Sequence, residues 1–341
     1  MAEHSHEPLV SVIIPALNSE ATIEKLLNSI MALDYRKNRL EVILVDGGST
    51  DRTKEIAQKY PIKIIVEKRR GINVARNAGV RNSCGEILAF TDSDCVVPRD
   101  WIRKIVENFK DPRVGCLGGS ALGYGDSFFS RYADASIVPV LRRFERREIL
   151  NGVKLLLRYP AGCNMAFRRC ALEEAGFFDE KIHYGFDEDE LVERVCKRGY
   201  LMILDPNVVV LHKHREKLRD LLKQFFNYGK GGGLLIKMRI KGKISKWILL
   251  SLSSFLTLLA TLFSLAILSI IYGGFYIILL LIIMIVPLTS LSIFYVIKMR
   301  RKDWKSLAEV LAYPFIDLLR VISFHLGIIR GLLTMKTKST S

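Results

Sequence analysis

Two aspartates follow an apolar run at a spacing that suggests metal chemistry. Asp92-Ser93-Asp94 comes directly after Glu86-Ile-Leu-Ala-Phe-Thr91, a run that is typical of a buried strand. Carboxylates at positions i and i+2 in the turn after such a strand can converge on one hard divalent cation. Mg²⁺ or Mn²⁺ binds few protein oxygens and keeps positions open for a substrate phosphate. A solvated turn gives the same pattern, so the surrounding elements decide between the two.

A second acidic turn follows another apolar run. Asp46-Gly47-Gly48-Ser-Thr-Asp51 comes after residues 40–45, and its glycines allow a tight turn. Asp46 could accept a hydrogen bond from a nucleoside base or ribose, or the segment is a plain strand-to-helix turn. The spacing G-x-G-x-x-G is missing from this turn, so the sequence gives no support for a nicotinamide or flavin site.

The elements around these turns alternate between strand and helix. The apolar patterns predict strands at 10–15, 40–45, 62–66 and 86–91, with helices at 21–32, 53–59 and 71–83 between them. This alternation predicts a mostly parallel α/β sheet with helices on both faces. Ligands bind at the carboxyl ends of such strands, which is where both acidic turns lie.

The pattern is more mixed in the next hundred residues. A strand is predicted at 114–119, a basic helix at 127–149, a strand or loop at 162–167 and a helix at 187–197. Residues 213–228 form a basic amphipathic segment that we expect near a membrane surface.

A long uncharged stretch excludes an entirely soluble protein. Residues 247–297 contain no Asp, Glu, Lys, Arg or His. A bilayer crossing takes roughly 20 apolar residues, so this stretch predicts two spans, at about 247–271 and 275–297. Residues 306–335 are apolar but contain Glu309, Asp317, Arg320 and His325, so we expect an interfacial or re-entrant helix pair there, or a third membrane helix.

The charge distribution predicts an orientation. The net charge is +16, and eleven basic against two acidic residues lie between Lys213 and Lys246. More basic residues follow the second span, whereas the turn between the spans is uncharged. This pattern predicts a multi-pass protein of the cell membrane with its N-terminal domain in the cytoplasm, and it favours anionic lipid over nucleic acid as the partner of the basic charge.

The first residues and the cysteines of the sequence are consistent with a cytoplasmic domain. The first eight residues are polar, and no cleavable signal peptide is expected from them. The six cysteines contain no C-x-x-C pair, and we expect free thiols.

Several of these motifs occur together in one order. Val10-Ser-Val-Ile-Ile-Pro15, Val45-Asp-Gly-Gly-Ser-Thr-Asp51, Ala75-Arg-Asn-Ala-Gly79, Phe90-Thr-Asp-Ser-Asp94, Gly162-Cys-Asn-Met-Ala-Phe167 and Asp187-Glu-Asp-Glu-Leu191 follow one another. The ordered set strongly resembles glycosyltransferase family 2, the inverting enzymes with a GT-A fold. The resemblance covers roughly 9–230. It implies a polar tail at 1–8, a GT-A domain at 9–230, a basic juxtamembrane segment at 231–246 and membrane helices beyond.

The resemblance implies sites for the donor and the acceptor. Asp92 and Asp94 would hold the diphosphate and a divalent metal, Mg²⁺ or Mn²⁺. The acceptor wall would include Gly162, Cys163 and Asn164. The residues implied to bind the nucleotide sugar are Pro15, Ala16, Leu17, Asn18, Glu20, Asp46, Gly47, Arg76, Asn77, Asp92 and Ser93. Leu17 stands where the family often has an aromatic residue.

The resemblance also implies a general base and a further metal ligand. The family's base is the Asp of a Glu-Asp pair, and this chain has the two acids exchanged, so Glu188 stands in that position. Asp187 or Asp189 would serve if the register slips, and an acidic helix N-terminus is the structural alternative. A histidine after the following strand, His212 or His214, would complete the metal site.

These features predict an inverting glycosyltransferase that moves a sugar from a nucleotide-diphosphate sugar to a membrane-associated, lipid-linked acceptor by direct displacement. Two alternatives remain open at this stage. A polyprenyl-phosphate sugar synthase would use a phosphate acceptor and need no base. A non-catalytic membrane scaffold would keep only the nucleotide-sugar site.

Overall fold

The computed structural model describes residues 7–137, 140, 142–152, 159–182, 185–299 and 306–334. Most of the predicted polar tail at 1–8 lies outside the described residues. The chain divides into two compact units. The first consists of Met1–Gly125, Leu141–His183 and Asp187–His214, and the second of Asp126–Val140, Tyr184–Phe186 and Arg215–Ser341.

The first unit is built on one nine-stranded sheet. Its strands are β1 (Val10–Ala16), β2 (Leu40–Asp46), β3 (Lys63–Val66), β4 (Ile87–Phe90), β5 (Cys95–Val96), β6 (Val114–Gly123), β7 (Glu148–Leu150), β8 (Met165–Arg168) and β9 (Leu201–His212). The order across the sheet is β3-β2-β1-β4-β8-β6-β9-β5, and β7 pairs with β9.

The sheet is parallel in its first half and mixed in its second. β1 to β4 pair in parallel, as the alternating pattern predicts. β8 then enters antiparallel between β4 and β6, whereas β6 and β9 are parallel to each other. β5 and β7 pair antiparallel with β9.

Helices cover both faces of this sheet. The helices of the whole described chain are α1 (Ile23–Met31), α2 (Thr53–Ala57), α3 (Ile72–Arg81), α4 (Trp101–Asn108), α5 (Phe128–Ala135), α6 (Arg169–Ala175), α7 (Asp187–Lys197), α8 (Leu218–Met238), α9 (Lys243–Tyr272), α10 (Gly274–Lys298) and α11 (Leu307–Leu333). Alternate residues of β1 point to opposite faces. Val12 therefore packs in one core with Leu26 of α1 and Trp101 of α4, and Ile13 in the other with Leu191 of α7.

The basic helix predicted at 127–149 is wrong over most of its length. The helix is confined to α5, and residues 148–150 form β7. Pro139 has no backbone N–H to donate and cannot continue a helix, and the β-branched Ile137, Val138 and Val140 around it favour extended backbone.

The second unit contains the apolar helices. Within the described part of the chain, α9 and α10 are long and apolar enough to cross a membrane, with 30 and 25 residues and mean hydropathies of 2.3 and 2.8. They cover the two spans predicted from the sequence and exceed them by a few residues. The helix pair predicted at 306–335 is wrong, because α11 is a single helix of 27 residues. The run lacks a central turn signal that could reverse the chain.

Two pairs of glycines bring α8 and α11 into backbone contact. A Cβ atom at Gly229 or Gly233 of α8 would overlap the carbonyl oxygens of Phe324 and Ile328. The relation is reciprocal, because a Cβ atom at Gly327 or Gly331 of α11 would overlap carbonyl oxygens of α8. Both pairs have the G-x-x-x-G spacing, which places small residues on one helix face and allows such close approach.

Candidate active site

The loops after β1 and β2 are fastened to each other by hydrogen bonds. The backbone N–H of Asn18 donates to Ser49 Oγ at 2.9 Å, and the backbone N–H of Thr50 donates to Asn18 Oδ1 at 2.9 Å. Asn18 has φ of 51°, a left-handed conformation that Asn tolerates better than most residues. Asn18 was predicted to bind the nucleotide sugar. In the structure its side chain holds the loop after β2 in place.

A second, reciprocal pair continues this fastening. The N–H of Glu20 donates to Asp51 Oδ2 at 3.0 Å, and the N–H of Arg52 donates to Glu20 Oε2 at 3.1 Å. These bonds satisfy backbone donors at the edge of the sheet, where β1 and β2 end. The two loops consequently form one preorganised edge.

Asp46 is buried at this edge. Its carboxylate accepts from the backbone N–H of Ser49 at 3.1 Å, and the N–H of Gly47 donates to Ala16 O at 2.8 Å. Gly48 makes the turn possible with φ of +86°. Pro15 and Ala16 lie within β1, and the Leu17 side chain beside them is exposed.

The Asp92–Asp94 turn is joined to the first loop and to the end of β9. Ser93 Oγ and Ser19 Oγ share a hydrogen bond of 2.7 Å, and the N–H of Lys213 donates to Asp94 O at 3.0 Å. Cys95 of β5 pairs directly with His212 of β9. This antiparallel pairing brings a histidine to the carboxyl end of the sheet, beside Asp94.

The groups around Asp94 suit a divalent cation. His212 Nε2 lies 3.3 Å from Asp94 Oδ1, and the ligand atoms of Asp94, Cys95 and His212 all lie within 4.8 Å of one another. Asp94 Oδ1 is buried and receives no hydrogen bond from the described residues, so it keeps its acceptor capacity for a ligand. Carboxylate oxygens suit Mn²⁺ and Mg²⁺, and the imidazole of His212 adds a nitrogen donor to the group. The His214 ring centre lies 5.8 Å from that of His212, and His214 is outside this cluster.

Arg76 of α3 gathers the acids at the start of α7. Its Nη1 donates to Asp187 Oδ2 at 2.6 Å, and its Nη2 lies 3.6 Å from Glu188 Oε1. The Arg76 and Asp187 side chains are each 3% exposed. Burial and the charge of Glu188 raise the pKa of Asp187 to about 8, against the opposing effect of Arg76. Arg76, predicted to contact the nucleotide, is thus an ion-pair partner of these acids.

The three candidate bases differ in their access to solvent. The Glu188 side chain is 17% exposed, whereas Asp187 and Asp189 are 3% and 1% exposed. Neither carboxylate oxygen of Asp189 has a hydrogen-bond partner among the described residues, and burial raises its pKa well above the ordinary value. Asp187 and Asp189 are enclosed, so Glu188 is the acid best placed to meet a substrate.

Gly162 and Cys163 lie between two groups of side chains. The base group is Arg76, Asp187 and Glu188, and the metal group is Asp94, Cys95 and His212. A Cβ atom at Gly162 would overlap Arg76 Nη2 and Glu188 Oε1. The next residue, Cys163, has its pKa raised well above the ordinary value by a hydrogen bond with the Cys95 thiol, by burial and by the charges of Asp92 and Asp94. The structure therefore brings the two groups together around this dipeptide.

Two predicted site residues use their side chains for internal support. The Asn77 amide donates to Phe178 O at 2.9 Å and accepts from the N–H of Phe178. The Asn164 amide donates to two backbone carbonyls, and its oxygen accepts from Trp101 Nε1 at 3.0 Å. Both side chains hold loops of the site in position.

Sequence reasoning missed Cys95 and Ser19. Cys95 follows Asp94 directly, but only its pairing with His212 shows that it belongs to the metal group. Ser19 joins the first loop to Ser93 across 74 residues, and no local pattern signals that contact.

Comparisons with known proteins agree with this arrangement. The family model for Glycosyl transferase family 2 matches residues 11–176. The glycosyltransferase AglE of Haloferax volcanii is 31% identical over 233 residues, which are 66% of this chain and 73% of AglE. The chain belongs to glycosyltransferase family 2. Membership confirms the predicted enzyme class, and the α/β fold class with C-terminal apolar helices is confirmed as well.

Two further family 2 comparisons are informative. A transferase of Methanococcus voltae, named for the acceptor dolichyl N-acetyl-alpha-D-glucosaminyl phosphate, is 24% identical over 67% of this chain and 74% of its own length. The mannosyltransferase PcManGT of Pyrobaculum calidifontis, solved with GDP-Man and Mn²⁺, has a TM-score of 0.59 at 22% identity, covering 93% of this chain and 88% of that one. The latter likeness confirms the GT-A fold.

Proposed function

We propose that this family 2 enzyme transfers a sugar, with inversion, from a nucleotide-diphosphate sugar to a hydroxyl of a lipid-linked acceptor at the membrane. The observation that carries the proposal is the meeting of the Asp94–His212 group and the Arg76–Glu188 group around Gly162 and Cys163. Direct displacement needs these two kinds of group on opposite sides of one anomeric carbon.

The nucleotide-sugar donor binds at the edge of the sheet where β1, β2 and β4 end. Asp46 accepts hydrogen bonds from the nucleoside, whose base lies beside Leu17, and the fastened loops of Asn18 and Glu20 keep this surface in one geometry. Preorganised contacts lower the cost of fixing the donor in a reactive position. Asp92, Asp94 and His212 would hold Mg²⁺ or Mn²⁺, which supplies Lewis-acid stabilisation of the leaving phosphate.

Glu188 acts as the general base. It accepts the proton of the acceptor hydroxyl while that oxygen forms a bond to the anomeric carbon and the bond to the nucleoside diphosphate breaks. A positioned base contributes about 10²–10⁴-fold to the rate. Arg76, whose Nη2 lies 3.6 Å from Glu188 Oε1, orients the carboxylate. Asp187 fixes Arg76 and does not touch the substrate.

The acceptor and the location are inferred together. α9 and α10 cross the membrane, and the basic segment at 231–246 keeps the catalytic domain at 9–230 on the cytoplasmic side, by the excess of Lys and Arg next to the spans. The name of one relative supports a lipid-linked acceptor, since that relative is named for a dolichyl phosphate derivative. A bound lipid would present its head group at the surface where the active site works.

The test is sugar transfer by the full chain in lipid nanodiscs. Wild type, Glu188→Gln and Asp94→Asn are supplied with Mn²⁺, a panel of nucleotide sugars and a lipid extract, with Asp187→Asn as the matched comparison. We expect one donor to be used, and a loss of about 10²-fold or more in Glu188→Gln.

Each other outcome contradicts part of the proposal. Full activity of Glu188→Gln with a polyprenyl phosphate acceptor would instead identify a synthase that needs no base. Nucleotide binding without transfer to any lipid would favour the scaffold. Activity lost in Asp187→Asn but kept in Glu188→Gln would move the base to residue 187.

A further inference from the structure

The outward face of α11 is apolar over most of its length. Leu318 and Leu326 are 46% and 51% exposed, and no charged side chain lies on this face between Leu311 and Leu326. The exposed apolar residues of α11 are Leu307, Leu311, Phe315, Leu318, Leu319, Val321, Leu326 and Leu333. Monomeric soluble proteins rarely leave so long an apolar stripe in water.

From Glu309 to Arg320 the charged residues of α11 point into the second unit, whereas Arg330 near its end is exposed. Glu309 accepts from Arg131 Nε of α5 at 2.7 Å. One turn further, Asp317 accepts from Tyr132 Oη of α5 at 2.6 Å and from Arg320 Nη1 at 3.1 Å. Arg320 is 3% exposed and lies over the Phe225 ring at 4.0 Å.

His325 is also turned inward. Its Nε2 lies 3.1 Å from Ser251 Oγ of α9, and its ring stacks on Phe255 with centres 4.2 Å apart. From Glu309 to His325, every ionisable group of α11 is therefore turned inward and partnered. The inner face of α11 is polar and its outer face is apolar, which is the reverse of a helix on the surface of a water-soluble protein. A bilayer tolerates ionisable residues when they face inward and are paired.

The neighbours of α11 leave this outer face uncovered. α8 occupies one side through the facing glycines, and α10 occupies another, where Tyr295 packs on Tyr313 with ring centres 5.4 Å apart and donates to Asp317. α10 itself exposes mostly apolar side chains along its middle, among them Ile285 at 51%, and Thr289 and Ser290 are its exposed polar residues there. The apolar surface of α10 thus continues onto α11.

We propose that the outer face of α11 contacts the hydrocarbon of a lipid bilayer, so that α11 is a third membrane-embedded helix beside α9 and α10. The occupant of this face is lipid, because the face offers no hydrogen-bonding or charged group that a protein partner could recognise between Leu311 and Leu326. A helix of 27 residues is about 40 Å long, enough for a hydrocarbon core of about 30 Å. This inference does not depend on the transferase chemistry.

The test places a spin label at single introduced cysteines in the full chain, with the exposed Cys84 and Cys170 changed to Ser. The chain is held in phospholipid nanodiscs, and collisions of the label with oxygen and with a water-soluble nickel chelate are measured. Leu318→Cys and Leu326→Cys report on α11. Ile285→Cys gives the lipid reference, and Val66→Cys, at a 45% exposed position of β3, gives the water reference.

We expect the two α11 labels to collide with oxygen and not with nickel, as the label at residue 285 does. If the ratio of oxygen to nickel collisions on α11 equals that at residue 66, the proposal is overturned, because the face would then lie in water. Shielding from both reagents would overturn it too, since a second copy or another protein would then cover the face. All four positions are exposed in the folded chain, so none of the changes removes a buried contact.

Discussion

Gly162→Ala tests whether the distance between Arg76 and Glu188 matters for catalysis. The added methyl group would overlap Arg76 Nη2 and Glu188 Oε1. Arg76 cannot yield easily, because it is buried and held by Asp187 at 2.6 Å. Glu188 is partly exposed and has the weaker contact, so its carboxylate moves most, but the Arg76 guanidinium or the Gly162 backbone must also shift to relieve the second overlap.

The size of the effect follows from the geometry. Carbon contacts relax near 3.5–4.0 Å, so the Glu188 carboxylate must shift by about 1 Å. A misplacement of about 1 Å can cost about 10²-fold in rate, which corresponds to about 2.7 kcal/mol of transition-state stabilisation. The folding cost is roughly 1–3 kcal/mol, as is typical of overpacking, because the buried Arg76 guanidinium is overlapped as well as the partly exposed Glu188 carboxylate.

The assay compares initial rates of sugar transfer at saturating donor and, separately, the Kd for the nucleotide. We expect the rate of Gly162→Ala to fall about 10²-fold with little change in nucleotide Kd, since the donor edge is untouched. Gly152→Ala is the matched control, because no residue that the structure describes lies within 4 Å of its added methyl group. A rate for Gly162→Ala within about twofold of the control would refute the assignment of Glu188 as the positioned base.

Three further predictions concern pH, metal and packing. Burial raises the pKa of Asp187 to about 8, above its unfolded value, so its stabilising contribution is complete below about pH 4 and is lost as the pH rises through about 8. The melting temperature of wild type should therefore fall relative to that of Asp187→Asn between about pH 4 and 8 and stay level above that range, and parallel curves would contradict this. His212→Gln should weaken Mn²⁺ binding, measured from free Mn²⁺ by electron paramagnetic resonance, by at least about tenfold, whereas His214→Gln should leave it unchanged; equal losses would remove His212 from the site. Gly331→Ala should lower the free energy of unfolding by about 1–3 kcal/mol through overlap with α8, seen as a lower melting temperature than that of Gly274→Ala, whose methyl group meets nothing.

Local pattern was enough for the elements that carry their own signal. The buried run of β1, the amphipathic face of α1 and the uncharged stretch of α9 and α10 each gave bounds within a few residues of the structure. These segments are decided by burial of a continuous or periodic apolar set, which the sequence displays directly.

Long-range pairing limited the rest. β5 has two residues, too few for any period, yet its pairing with β9 is what separates His212 from His214. β8 enters the sheet antiparallel between strands that are distant in sequence, and nothing in Met165–Arg168 states its neighbours. A strand's partners depend on the whole fold and not on its own residues.

The site shows the same division. The ordered motifs located the acids and the donor loops, and the structure brings them to one edge. Arg76 and Asp187 are 111 residues apart in the chain and are in contact. Arg76, which we expected at the nucleotide, is therefore a partner of the acids at the start of α7. Exposure separates Glu188 from its two acidic neighbours, and exposure is a property of the folded molecule alone.

The facing glycines of α8 and α11 impose an order on synthesis. Gly229 leaves the ribosome about a hundred residues before Gly327, a delay of roughly 5–20 s at ordinary elongation rates. During that interval the glycine face of α8 lacks α11 as its partner, and the whole of α9 and α10 is made before α11 can pack against it. A nascent chain arrested before α11 would therefore carry every strand of the sheet together with an unassembled second unit, a form that quality-control proteases can recognise.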